Sequence, residues 1–129
     1  MKNRSVIITV LIATTLGLGA GYLYQAKPFA ERGAAVVRTG DFSAIQTRVD
    51  SPVVLYTIAT CPYCQRTKEF LRQRGVRYAE LPLDTSLLAR EEAKSLGASQ
   101  VPFILIGSNS LEGFDEAKMI ALLDRQEIL

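Results

Sequence analysis

The chain has no histidine and only two cysteines among its 129 residues, and both shortages narrow its chemistry. A structural zinc site takes four ligands, which a sequence without histidine or a third cysteine cannot supply alone. An excess of charge is missing too: 15 Lys and Arg face 13 Asp and Glu, a formal net charge of +2. That balance is too small to hold a polyanion, so no nucleic-acid partner is expected. No internal repeat or low-complexity tract is visible, and the length admits one domain plus an appendage.

The two cysteines stand together as Cys61-Pro62-Tyr63-Cys64, after the apolar run Val53–Ile58 and before a stretch of helical pattern. A strand that feeds Cys-x-x-Cys at a helix start is a redox arrangement. The helix N-terminus offers unpaired N–H groups and the positive end of the macrodipole, and both stabilise a thiolate. Pro62 suits the first helical position, where its missing N–H costs nothing. The spacing puts Cys61 at the cap, exposed, with Cys64 almost one turn further in. A purely structural disulfide would constrain the unfolded chain little across so short a loop. Two inert buried thiols would need neither the proline nor the helix start.

Residues 1–51 carry six Lys and Arg against three Asp and Glu, while residues 52–129 carry nine against ten. The basic excess therefore belongs to the N-terminal arm. No charge interrupts residues 5–24. As a helix rising ~1.5 Å per residue, that stretch spans about 30 Å, the thickness of a bilayer's hydrocarbon core. Tyr22 and Tyr24 stand where an interfacial aromatic belt would be. The positive start, Met1-Lys2-Asn3-Arg4, fits a signal peptide as well as an anchor, but residues 18–20 and 24–26 match a small-x-small cleavage site poorly. The expectation is an uncleaved single-pass anchor over residues 1–24. It would leave the redox domain outside the cytoplasm, which is the periplasm if the source is a Gram-negative bacterium. Residues 25–51, punctuated by Pro28, Gly33 and Gly40, read as a stalk with a short helix capped by Asp41. The domain is expected over residues 52–129.

From Val53 onward strand and helix patterns alternate. Val53–Ile58 is continuously apolar, as in a strand buried on both faces. A helix is predicted over 62–74, with Tyr63, Thr67, Phe70 and Leu71 on one face and Gly75 as its stop. A weaker strand follows over 76–81, then a helix over 86–96 with Arg90, Glu91, Glu92 and Lys94 as its solvated face. Phe103–Ile106 reads as a buried strand, and residues 107–110 as a hairpin turn into a short edge strand near Leu111. A last helix starts at Phe114 or Asp115 and runs through Leu123. The order β-α-β-α-β-β-α describes a small α/β domain of thioredoxin-like type.

Residues 53–124 resemble the glutaredoxins. The resemblance rests on Tyr56-Thr57 before the tetrad, on Cys61-Pro62-Tyr63-Cys64 itself, on Val101-Pro102, and on Gly113-Phe114-Asp115. It implies that Cys61 is the nucleophile and Cys64 the resolving thiol, supported by Pro62. It implies a cis peptide bond at Pro102 facing Cys61, with the backbone of Val101 free to pair with a substrate backbone. Tyr63 would wall the substrate groove and Gln100 would donate a neutral hydrogen bond. Asp115 would grip the amino end of glutathione, helped by Gly113, Phe114 and the N–H groups of the helix start. By the same resemblance there is no tightly bound cofactor and no metal. Glutathione is the expected co-substrate and glutathionylated proteins or protein disulfides the substrates, at about −200 to −230 mV.

Several residues depart from the family pattern. Ile58 stands where a lysine is common, and Ser99 and Gln100 where a basic residue and a threonine are common. Glu112 replaces the first glycine of a pair and would bring negative charge towards an anionic ligand. Arg66 and Lys68 read as solvated cations. Three functions follow: a membrane-tethered glutaredoxin-like oxidoreductase; a glutathione-independent thiol–disulfide oxidoreductase fed by another dithiol protein; and an iron–sulfur-binding module held by Cys61 thiolates from two chains. Pro62 and export count against the last.

Overall fold

The computed structural model describes residues 35–129; the apolar segment 5–24 and residues 25–34 of the expected stalk lie outside them. Five strands make one sheet in the order β1-β5-β4-β2-β3. They are β1 (Val36–Thr39), β2 (Val53–Thr57), β3 (Ala79–Pro82), β4 (Phe103–Ile106) and β5 (Asn109–Glu112). Four helices join them: α1 (Ser43–Val49), α2 (Pro62–Gln73), α3 (Leu87–Ser95) and α4 (Glu116–Arg125). The β2–β3 pair is parallel and the others are antiparallel. This is the thioredoxin-like α/β fold. Among the described residues no helix is long and apolar enough to cross a membrane.

All five residues of β2 and all four of β4 are buried, which explains their unbroken apolar runs. Successive side chains point to opposite faces. Val53, Leu55, Ile104 and Ile106 therefore pack with Phe70 and Leu71 of α2 and with Met119, Leu122 and Leu123 of α4. Val54, Tyr56, Phe103 and Leu105 face the other way, towards Phe42 and towards Ala89 and Ala93 of α3. The sheet is thus the middle layer of three.

The N-terminal boundary differs from the expectation. Residues 36–49, read as part of a stalk, form β1 and α1 and belong to the sheet domain. Strand β1 pairs with β5 in the register Val36 to Glu112 and Thr39 to Asn109. β5 is consequently an interior strand, not the edge. All four residues of β1 are exposed, and its two valines make neither an alternating pattern nor a sustained apolar run in the sequence. The short helix appears where expected, but Phe42 occupies its N-cap position without a side-chain cap. Asp41, one residue earlier, accepts from the Ser43 N–H at 3.0 Å and from the Ser43 hydroxyl at 2.6 Å. Arg48 then ties α1 to Glu92 of α3.

Because β2 and β3 are parallel, their C-terminal ends lie at one end of the sheet. The turn into α2 and the turn into α3 leave from that end together. The Ala59 N–H donates to Asp84 Oδ2 at 2.9 Å and joins the two turns.

Candidate active site

Cys61 is the N-cap of α2, with extended backbone, and Pro62 begins the helix. Its own N–H donates to the Ile58 carbonyl at 3.2 Å, closing the turn out of β2. The Cys64 N–H donates to Cys61 Sγ at 3.2 Å, the cap contact that one of the otherwise orphaned helix N–H groups needs. Cys61 is 8 % exposed and Cys64 0 %. Cys61 is therefore less open than its cap position suggested, though it remains the accessible member of the pair. Burial first, and the contact with Cys61 second, push the Cys64 thiol up to about 12. Lys68, one turn further along α2, pulls in the opposite direction as the smallest contribution. It is not simply solvated: its Nζ lies 3.1 Å from Glu80 Oε1, which also accepts from the Thr57 hydroxyl at 2.7 Å. At neutral pH Cys64 stays a thiol, so Cys61 is the sulfur placed to attack first.

Opposite Cys61, the Val101–Pro102 peptide bond is cis. Cys61 Sγ lies 3.9 Å from the Val101 carbonyl oxygen. Among the described residues neither the N–H nor the C=O of Val101 has a backbone partner. The Pro102 carbonyl accepts from the Gly113 N–H at 2.8 Å, which clamps the loop to the end of β5. Gly113 has φ +82, and a β-carbon there would come within 3.5 Å of Gln100 Nε2 and 3.8 Å of Ala35. The left-handed backbone is what favours glycine there, since those contacts would be ordinary van der Waals distances.

The remaining residues singled out in the sequence separate. Tyr63 is 54 % exposed on the flank of α2, with the Arg66 guanidinium 5.4 Å from its ring centre. Arg66 is exposed, as expected of a solvated cation, and lies over the aromatic face. Asp115 caps α4, accepting from the Lys118 N–H at 3.0 Å. Its Oδ2 also lies 3.6 Å from Lys118 Nζ, which donates to the Ala35 carbonyl at 2.6 Å. Phe114 turns its ring edge-on to Phe70 at 6.2 Å, against the core.

Glu112 corrects the expectation of a negative charge facing the ligand. It is 2 % exposed, and Arg38 Nη1 of β1 lies 2.8 Å from its Oε1 as an ion pair without hydrogen-bond alignment. A carboxylate on an interior strand must find a countercharge, and β1 supplies it.

Arg90 and Lys94 are exposed, as expected of a solvated face, and both also line a groove. A depression of about 310 Å³ adjoins Val101 and Gln100, bounded by Leu83, Arg90, Ala93 and Lys94. Arg90 is held rigid, donating from Nε and Nη2 to the Leu83 carbonyl at 3.0 and 2.8 Å. Arg90 and Lys94 are four residues apart on α3, a spacing that places both on one face and was readable in the sequence. Asp84 and Arg38 were missed because their partners lie on other elements.

A helix-capping cysteine, a buried second thiol and a cis-proline carbonyl on this fold define a thiol–disulfide oxidoreductase of the thioredoxin-like class. The comparisons narrow the class. The glutaredoxin family model matches residues 53–111. Glutaredoxin 3 of Escherichia coli K12 is 43 % identical over 65 residues, 50 % of this chain and 78 % of that protein. The chain belongs to the glutaredoxin family. Among solved structures, a buckwheat glutaredoxin–glutathione complex is similar at 25 % identity and TM-score 0.53, over 67 % of this chain and 88 % of that one. The glutaredoxin-like NrdH-redoxin of Escherichia coli, described as having a thioredoxin-like activity profile, is similar at 27 % identity and TM-score 0.51, over 54 % and 92 %.

Proposed function

We propose that this oxidoreductase takes glutathione as its electron donor and acts on both glutathionylated proteins and protein disulfides. The observation that carries this reading is the groove lined by the cations Arg90 and Lys94, continuous with Val101, whose backbone has no backbone partner, beside Cys61. A tripeptide with a free carboxylate fits such a groove: its backbone can pair with Val101 while the carboxylate meets the two cations. These cations offset the absence of a lysine at Ile58, and Glu112 is already neutralised by Arg38.

On a glutathionylated protein, the Cys61 thiolate attacks the glutathione sulfur and the protein thiolate leaves. A second glutathione thiolate then attacks the adduct, giving oxidised glutathione and restoring Cys61. On a protein disulfide, Cys61 forms the mixed disulfide and Cys64 displaces the reduced substrate. The buried Cys64 gives up its proton only in this second step. Turnover of a glutathionylated peptide by residues 33–129, with reduced glutathione as donor, should survive Cys64→Ser and vanish in Cys61→Ser. No turnover, with the Cys61–Cys64 disulfide still reducible by a thioredoxin-type protein, would leave the second reading. That reading, a glutathione-independent enzyme, draws support from Asp115, whose carboxylate is already engaged by Lys118.

We further propose that residues 5–24 anchor the chain and hold the redox domain outside the cytoplasm, on the strength of their uncharged length and basic start. A membrane-impermeant thiol reagent should label Cys61 in intact cells. Labelling only after lysis would sink the assignment.

A further inference from the structure

Among the described residues Glu112 is the one charged side chain in the buried set. Removing a carboxylate from water is costly unless it is paired and hydrogen-bonded, so its partners show what it does. Oε2 accepts from both the Ser99 N–H, at 3.1 Å, and the Ser99 hydroxyl, at 2.6 Å. Oε1 pairs with Arg38, and Arg38 Nη1 also lies 3.3 Å from the Gly97 carbonyl, to which it donates. Three separate pieces of chain therefore meet on one carboxylate: β1, β5 and the loop leading from α3 to the cis proline.

That loop is held at both ends by consecutive residues of one strand end. The Glu112 side chain holds Ser99, and the Gly113 N–H holds the Pro102 carbonyl. Gln100 and Val101 lie between the two fastenings, and the Val101 carbonyl is the atom that faces Cys61 Sγ. None of the fastening groups touches a cysteine. Two residues that depart from the family pattern, Ser99 and Glu112, are each other's partners, and the charge that makes them tolerable comes from β1, outside the matched residues 53–111.

We infer that Glu112 is a positioning residue: compensated by Arg38, it fixes the Ser99–Pro102 loop so that Val101 meets an incoming substrate backbone, and it thereby makes β1 part of the substrate site. The inference requires disulfide exchange at Cys61 but not glutathione as the donor.

The test uses the full chain, a disulfide-linked peptide as substrate and dithiothreitol as reductant. Glu112→Ala should raise KM for the peptide about tenfold with kcat within about twofold of the parent, the pattern of lost substrate binding. Glu112→Gln still accepts from Ser99 and should recover most of the KM. An unchanged KM in folded Glu112→Ala would overturn the inference. If Glu112→Ala does not fold, Ser99→Ala removes only the 2.6 Å contact, and its KM must rise. If the parent turns over no peptide, the activity assignment fails separately. The inference then stands or falls on NMR order parameters of Gln100 and Val101, which should drop below about 0.6 in the Glu112 or Ser99 variant. Order parameters equal to the parent's would overturn it.

Discussion

Strands β2 and β1 lie in one sheet but are held by different forces. All five residues of β2 are buried, with alternate side chains in two cores, whereas all four of β1 are exposed. Truncating a buried Leu in a strand like β2 removes about 2–5 kcal/mol through lost transfer energy and a cavity. Truncating Val36 or Val37 would remove little. What β1 contributes is its ladder to β5 and one cation set against a buried carboxylate. The buried strands set the fold, and the N-terminal segment supplies the cation for the carboxylate that holds the Ser99–Pro102 loop.

The sharpest way to break this comparison is to start the chain at Pro52, where the sequence pattern alone would begin the domain. This removes β1 and α1, uncovers the β5 edge, takes Phe42 out of the second core and strands Glu112 without Arg38. A buried charge that loses its partner costs about 3–5 kcal/mol, so the shortened chain should lose at least about 3 kcal/mol against residues 33–129 in urea unfolding. A bare strand edge also invites pairing between chains, and aggregation should accompany the loss. A difference under about 1 kcal/mol would show that residues 35–51 merely decorate a domain that is complete without them.

The same contrast decides what could be read from the sequence. β2 and β4 were legible because burial on both faces forces a continuous apolar run, and Phe103–Ile106 matches the expected strand end to end. The start of α2 was legible because Cys61-Pro62 specifies a cap and a first turn. Partial burial gives weaker boundaries: β3, expected over 76–81, has no fully buried residue and runs Ala79–Pro82. β1 was illegible because four exposed residues on a sheet edge carry no periodic signal. The meaning of Glu112 was illegible for a related reason. Seen along the chain it is an acid near an anion site; only the β1–β5 register, which sets Val36 opposite Glu112 and Arg38 one pleat away, shows it to be neutralised. Arg90 and Lys94 were visible as a pair, but their groove depends on where the cis proline turns the chain.

A smaller effect sharpens the comparison from the other side, because it belongs wholly to the family-matched half. The Cys64 thiol, ordinarily at 9.0, is pushed up to about 12 by burial first and by Cys61 second. Below pH 9 the folded and unfolded chains both hold the proton, and its contribution to stability is constant. Between pH 9 and 12 the unfolded chain releases a proton that the folded chain keeps, so stability falls as pH rises. Circular-dichroism melts of the fully reduced protein should lose about 10 °C more between pH 9 and 11 than those of Cys64→Ser, which lacks the titration. Arg38→Met should be less stable at every pH yet keep the parent's slope, since the Arg38–Glu112 pair and the Cys64 thiol share no partner. Equal slopes for the parent and Cys64→Ser would mean that water reaches Cys64 more freely than its burial allows. A flattened slope in Arg38→Met would mean that β1 supports the resolving thiol as well as the substrate loop, and the division between the two halves would fail at the cysteine pair.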